Sequence, residues 1–340
     1  MVDIINTAAV TATVGSEEFT ELTNALRPVY SAEIYYSALP TQRWDQFAVR
    51  RVELGEEPGN VLRLPKLADI KRGGPLNEDD TIGDGRGLEL TYADITIGEY
   101  ANAVKMTELL LHYSFFDQMA NATIALGRDY SVVTDLALRD AVIALSSKTY
   151  SRVSGVHANH YELDATDIFN TDLIKDGVEA LEVGGVSKID GEYFICFIHP
   201  HQARGLRDDP AWISVNTYNM GGMPIYRGEI GMYEDVKFIQ TTTQPNGANS
   251  AVKANGDYAD PGFRADLKSG YDWGGEDLNQ VNLYEAYLFG EYFYGSAVGY
   301  PVELRDNGIV DYGRKVELAW YSIFGQKILE DAHGIALITA

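Results

Sequence analysis

The stretch that most narrows what this chain can fold into is Tyr193-Phe194-Ile195-Cys196-Phe197-Ile198, followed at once by His199-Pro200. A short run that is apolar at both parities and rich in aromatic and β-branched residues reads as a strand covered on both faces. Pro200 has no N–H to give a ladder but suits the first turn of a helix. The strand therefore stops, and the polar run from His201 to Asp209 reads as a short helix ahead of Pro210 and Trp212. Further on, Gly228-Glu229-Ile230-Gly231 opens a second apolar strand reaching Thr241. From Glu192 onward apolar runs alternate with Gly-rich turns and one helical patch, so the class is α+β.

Upstream, Ser16 before Glu17 and Glu18 reads as a helix N-cap with acids in the first turn. Phe19, Leu22 and Leu26 recur at helical spacing, and Pro28 starts a second short helix running to about Tyr36. Residues 1–45 thus form an N-terminal arm. Residues 46–103 read as a long hairpin. Pro65 confines its outgoing strand, Asn60 to Lys71, to an edge. Those 12 residues, at ~3.3 Å each, reach about 40 Å. The tip holds Gly83-Asp84-Gly85-Arg86-Gly87 behind the acids Glu78, Asp79 and Asp80, which would repel a phosphate. On the return strand Leu88, Leu90 and Tyr92 share one parity while Ile95 and Ile97 take the other, the phase change a β-bulge produces. A lone two-stranded hairpin is marginal. Its apolar positions need cover, from its own domain or from a partner; the residues leave both open.

From Val104 to Leu126 the pattern is helical, with Leu109, Tyr113, Phe116, Ala120 and Ile124 on one stripe. Gly127 is expected to break it before a second helix carrying Tyr130, Val133, Ala137, Ala141 and Ala144. Residues 244–276 are rich in Gly, Asn and Asp and read as a loop insertion.

A net charge of −23 opposes a nucleic-acid grip, which needs clustered Lys and Arg. It does not oppose a container whose wall lets DNA slide. The 340 residues allow one large or two moderate domains. No apolar run approaches the ~20 residues that cross a bilayer, and the N-terminus lacks the basic region of a secretory signal. The single Cys196 sits inside an apolar strand, so it reads as a core residue and suits a reducing compartment.

Three groups invite a chemical reading. His157 and His160, with Glu162 and Asp164, are potential metal ligands, but they lie after a turn and off any His-Glu-x-x-His helix. His199 and His201 flank Pro200 near Asp208 and Asp209, which read as solvated. The 50 acidic and 22 tyrosine residues could furnish a carboxylate pair beside a sugar platform, though no spacing singles one out. Phosphate-loop, dinucleotide and nucleophile-elbow motifs are absent. No catalytic, cofactor or metal site is expected.

Taken in order, several segments resemble the major capsid proteins of tailed bacteriophages, specifically the N4-like family. They are Gly59–Leu67 with Pro75–Ile82, Tyr193–Trp212, Tyr226–Thr241, Tyr287–Gly295 and Gly313–Leu329. Two departures stand out: Ile309-Val310-Asp311-Tyr312-Gly313 replaces the usual Asp-Pro-Leu-Gly-Gln, and Gln244–Glu276 has no counterpart. The resemblance implies the Johnson fold first described in phage Hong Kong 97. Its parts would be an N-terminal arm (1–45), an extended hairpin loop (46–103) and a peripheral domain with a spine helix (104–165). An axial domain (166–300) and a closing strand and helix (301–340) would complete it. It further implies pentamers and hexamers of an icosahedral shell around double-stranded DNA, assembled in the cytoplasm of a bacterial host. Implied partners are a separate scaffolding protein (the hairpin starts too early to leave room for a scaffolding extension), a portal protein, a possible decoration protein and no membrane. The alternatives are a bacterial nanocompartment shell and, from another class, an acidic carbohydrate-active hydrolase. The expected inter-subunit contacts are the basic Arg50, Arg51, Arg63, Lys66, Lys71 and Arg72, the acidic Glu78, Asp79 and Asp80, and the apolar Leu62, Leu64, Leu88, Leu90 and Tyr92.

Overall fold

The computed structural model of the chain describes residues 43–51, 59–67, 90–114, 118–218, 229–248, 262–264, 266–267 and 281–340. The expected helices before residue 43, the hairpin tip and most of the 244–276 insertion lie outside them. In chain order the strands are β1 (Val49–Arg51), β2 (Val61–Leu67), β3 (Leu90–Thr96), β4 (Gly98–Thr107), β5 (Lys148–Tyr150), β6 (Phe194–Ile198), β7 (Glu229–Tyr233), β8 (Val236–Gln240), β9 (Tyr284–Phe289), β10 (Tyr294–Val310), β11 (Lys315–Ile328) and β12 (Gly334–Thr339). The helices are α1 (Glu108–Tyr113), α2 (Gln118–Ile143), α3 (Thr171–Val183), α4 (Pro200–Asp208) and α5 (Pro210–Tyr218). The mixture is α+β, as expected.

The chain divides into two units. The first comprises Arg50–Gly127 and Gly295–Lys327, with Met1–Tyr35 outside the description; the second comprises Tyr36–Val49, Arg128–Tyr294 and Ile328–Ala340.

The second unit is built on a six-stranded sheet in the order β5-β12-β9-β6-β8-β7. Strand β6 runs parallel to β8 and antiparallel to β9, and β12 runs antiparallel to β9 and parallel to β5. Every residue of β6 is buried, because its two parities feed two cores. Phe194, Cys196 and Ile198 pack with Leu173, Ile174 and Leu181 of α3 and Ala203 and Leu206 of α4. Ile195 and Phe197 pack with Leu138 and Val142 of α2 and with Trp44. Burial raises the Cys196 thiol far above its ordinary value, which leaves it inert packing.

The expected closing helix is a correction. Residues 315–328 are strand β11, and the C-terminus is β12, buried at all six positions between β5 and β9. The apolar run Ile335–Ile338 flanked by Gly334 fits a sheet interior, where both faces are covered. Gly334 is required there: a Cβ would stand 2.3 Å from the Phe293 ring.

In the first unit a four-stranded sheet runs β1-β10-β11-β4, and β2 and β3 form a separate hairpin. Met106, Leu304, Leu318, Trp320 and Phe324 are buried here. No bulge interrupts the β2–β3 register, which is unbroken from Val61↔Thr96 to Leu67↔Leu90. The phase change needs no irregularity: Leu90 and Tyr92 lie on the outer face of the hairpin and Ile95 on the inner one, and after Ile97, whose N–H donates to Asn60 O, β4 joins β11. Gly325 permits this handover, since a Cβ there would stand 2.1 Å from the Thr96 carbonyl oxygen.

Gly127 does not break the helix; α2 runs through it for 26 residues. The buried face is Ala122, Thr123, Leu126, Ser131, Thr134, Asp135, Leu138, Arg139 and Val142, not the apolar stripe read from sequence. Leu109, Tyr113 and Ile124 are exposed. Hydropathy misplaced the face because polar residues sit on it with their bonds satisfied internally: Thr123 Oγ1 donates to Met119 O and Thr134 Oγ1 to Tyr130 O.

The 244–276 segment is not loop throughout. Its neck is buried and laced by backbone bonds: Asn246 N donates to Gly262 O, Gly247 N to Leu283 O, and Arg264 N to Asn246 O. Gln244 and Asn246 are fully buried there.

Candidate assembly surface

The β2–β3 hairpin carries most of the described residues expected to meet a neighbour. Opposed residues of an antiparallel pair share a face, so the register puts Val61, Arg63, Pro65, Leu67, Leu90, Tyr92, Asp94 and Thr96 on one side. On this side Leu67 is 56% exposed, Leu90 49% and Tyr92 53%. The opposite side holds Leu62, Leu64, Ala93 and Ile95, with Ile95 fully buried and the leucines half-buried. The four described apolar candidates therefore do not act as one patch: Leu62 and Leu64 face inward, while Leu90 and Tyr92 face water.

Arg63 is already engaged in its own chain. Its Nε and Nη2 donate to the two carboxylate oxygens of Asp94 at 2.8 and 2.9 Å, and its guanidinium lies 5.1 Å from the Tyr92 ring centre. The hydrogen bond from Arg63 holds the Asp94 carboxyl below its usual range and raises the guanidinium in turn. A basic segment reaching across to an acidic neighbour thus loses one of its charges. What the hairpin offers instead is a fixed plate: Tyr92 under a clamped Arg63, beside Leu67, Leu90 and Pro65. Lys66 is exposed, and its carbonyl accepts from Thr91 Oγ1. Arg50 and Arg51 lie on β1, with Arg50 exposed. Lys71, Arg72, Glu78, Asp79, Asp80 and Leu88 fall outside the described residues.

The histidines form no convergent site. Among the described residues no three His, Cys, Asp or Glu side chains gather as for a metal. His157 Nε2 is 3.0 Å from Ser154 Oγ and 3.3 Å from Asp167 Oδ2, while His160 makes an edge contact with Tyr161. The organiser is Asp167, missed from sequence. It is fully buried, and its carboxylate accepts from Ser154 N, Ser154 Oγ and Asp164 N. Burial pulls its pKa up, but these bonds outweigh it and leave the carboxyl below its ordinary value. His199 caps α4 through its Nδ1, and His201 stacks on Tyr284 at 4.3 Å. Asp209, read as solvated, instead ties two helix starts together, accepting from Thr171 N, Thr171 Oγ1 and Ala211 N.

A second missed carboxylate, Asp135 of α2, holds the first described residues. Its Oδ1 accepts from Arg43 N and Trp44 N, each at 3.0 Å, and its Oδ2 accepts from Thr243 Oγ1. The sequence signal was present: Asp135 lies at i+4 from Ser131 and i−3 from Leu138, on the buried phase of the helix. These groups brace the fold: the Ser154 hydroxyl lies beside His157 but donates to the buried Asp167, which commits its proton to the carboxylate and not to the imidazole. No helix among the described residues is long and apolar enough to cross a membrane.

A family model described as phage capsid protein matches residues 41–327. No curated protein sequence matches the chain. Similar solved structures include the capsid of Ralstonia phage GP4, with a TM-score of 0.66 and 17% identity, covering 86% of this chain and 87% of that one. The capsid asymmetric unit of cyanophage Pam1 aligns with a TM-score of 0.63 at 14% identity, over 100% of this chain and 99% of that one. The acid-stable capsid of Helicobacter pylori bacteriophage KHP30 aligns with a TM-score of 0.63 at 12% identity, over 98% and 96% of the two chains.

Proposed function

The chain belongs to the phage capsid protein family, and from that membership we propose how it works within a virion. It is a major capsid subunit, a structural protein that self-associates into a capsid shell. The proposal is that the shell is icosahedral, built from pentamers and hexamers, and encloses double-stranded DNA inside a wall whose net charge of −23 discourages sticking. The observation that carries this reading is the family match across 41–327, which takes in residues of both units.

Within the shell, the hairpin plate of Tyr92, Leu67 and Leu90 serves as an inter-subunit contact, because exposed apolar residues on a marginal two-stranded element gain stability only when covered. The peripheral role goes to residues 104–165 with 301–340 and the axial role to 166–300, a division that differs from the two units, since the second also takes in 128–165 and 328–340. A separate scaffolding protein, a portal and a decoration protein are proposed partners, and assembly is placed in the bacterial cytoplasm. Placement in the N4-like group rests on the Tyr193–Trp212 and Tyr226–Thr241 motifs.

Electron microscopy and sedimentation of the purified protein test the reading. Closed particles of megadalton mass that package DNA in infected cells support it. A subunit that stays small at every concentration, with or without co-expressed scaffold, would refute it.

A further inference from the structure

Among the described residues, two terminal strands of seven residues or more carry neither proline nor irregularity: β3 of the hairpin, with seven, and β4, with ten. Strand β5 is three residues long, β7 carries an irregularity between Glu229 and Gly231, and β2 holds Pro65. Strand β4 ends the four-stranded sheet with ten residues, no proline and no bulge. Long unprotected edges are templates for another strand.

The hydrogen-bond phase of this edge is fixed by the structure. Glu108 N donates to Arg314 O, which continues the register Thr107↔Lys315 and makes 108–314 a bonded pair. Bonded and non-bonded pairs alternate, so even-numbered residues of β4 turn their backbone groups toward β11. Odd-numbered residues turn theirs outward. The Ala103 N–H confirms this, because it donates to the Asn102 side chain rather than to β11. Glu99, Ala101, Ala103 and Lys105 thus form an outward ladder, and all four are exposed.

We propose that β4 pairs antiparallel with β4 of a second copy, centred on Asn102, joining two four-stranded sheets into one across a two-fold axis. Three features of the strand meet in that register. Glu99 falls opposite Lys105 of the second copy, and the reverse holds by symmetry, so both ends gain opposite charges. Ala101 falls opposite Ala103, small against small. Both pairs consist of outward-facing residues, so each exchanges two backbone hydrogen bonds once the Asn102 side chain releases the Ala103 N–H; a register shifted by one residue would break this parity. Lys105 is 3.0 Å from Glu317 in its own chain and keeps ammonium protons for a second carboxylate. The pairing rests on the shell reading above: a two-fold contact is isologous, the same patch on both copies, and complements the head-to-tail contacts of a ring. A strand pair alone buries less than the ~1,200 Å² of a stable dimer, so the contact forms in particles and not between free subunits.

Cysteine trapping tests it, helped by the chain having one native cysteine, which is buried. In the proposed register residue 102 faces itself across a non-bonded pair, at ~4.5 Å between Cα atoms, well within disulfide range. N102C particles, mildly oxidised, should run mainly as covalent dimers on non-reducing gels, whereas E99C particles stay monomeric and unassembled N102C stays uncoupled. Should N102C fail to assemble, co-expressed A101C and A103C chains should link far more than either alone. Particles that form normally without these links, or that link E99C as readily, overturn the pairing and leave the shell reading standing, with β4 covered by residues 1–42 or by another protein. Failure of the unmodified chain to form particles would sink the shell reading and this inference together.

Discussion

Residues 43–47 enter the second unit as a short peg, and removing its tip should detach it. Trp44 is fully buried, with its ring 4.3 Å from Phe197, 5.8 Å from Tyr287 and 5.9 Å from Tyr294 between centroids. Its carbonyl accepts from the Tyr294 hydroxyl, and its N–H donates to Asp135. Burying an indole removes ~200 Å² from water, which at ~25 cal/mol/Å² gives ~5 kcal/mol. Residual burial in the unfolded chain trims this, and Trp→Ala changes in cores cost ~3–5 kcal/mol. Trp44→Ala should therefore lower subunit stability by about 4 kcal/mol. Asp135→Ala strands the N–H groups of Arg43 and Trp44 and the Thr243 hydroxyl, at ~1–3 kcal/mol for each group that finds no water. Because both changes release the same segment, the double mutant should fall short of the sum by ~1–3 kcal/mol. Urea unfolding of the unassembled subunit, followed by circular dichroism, measures all three. Hydrogen exchange should show the amides of residues 43–47 opening in each variant. A cost for Trp44→Ala below ~1 kcal/mol, or strict additivity with unchanged exchange at 43–47, would refute the peg.

Asp167→Asn should change the acid limb of stability. The native carboxyl titrates below its unfolded value, so its contribution is full above the unfolded pKa of ~4 and fades as pH falls through the lower, folded value. The variant should be less stable than the parent at pH 7 and lose less on acidification, as read by thermal melts from pH 7 to 3. Gly334→Ala forces a Cβ against the Phe293 ring in an interior strand, so its melting temperature should drop by an amount consistent with ~1–3 kcal/mol of overpacking; an unchanged melt would mean that the ring yields freely. Arg63→Glu sets like charges opposite each other with Asp94, which should free Tyr92 and reduce particle yield without unfolding the subunit. Adding Asp94→Arg should restore yield in sedimentation assays, and a full yield from the single variant would show the plate to be dispensable.

How much was legible in advance follows the kind of information each residue carries. The two-sided burial of Phe194–Ile198, the stop at His199-Pro200 and the edge character imposed by Pro65 are local, because apolar parity and a missing N–H act wherever the chain goes. The order of short motifs was enough to indicate the family. The peripheral stripe on α2 was misread because Thr123, Thr134 and Asp135 count as polar, yet their bonds are completed by the helix itself or by distant segments. Likewise, the change of parity between Tyr92 and Ile95 looks the same in sequence for a bulge and for an unbroken strand with apolar residues on both faces; only the pairing with β2 decides it. The last strand is the clearest case. Gly334–Thr339 is apolar enough for several fates, and its central place arises because β5 and β9 leave a strand-wide gap that no earlier segment fills. The sequence by itself determined the periodicities, the stops and the overall charge, since each depends on neighbours a few residues away. The tertiary structure alone decided which face of α2 is buried, what holds Trp44, and that Arg63 is spent on Asp94, because those depend on partners 31 to 250 residues distant whose approach no local pattern encodes.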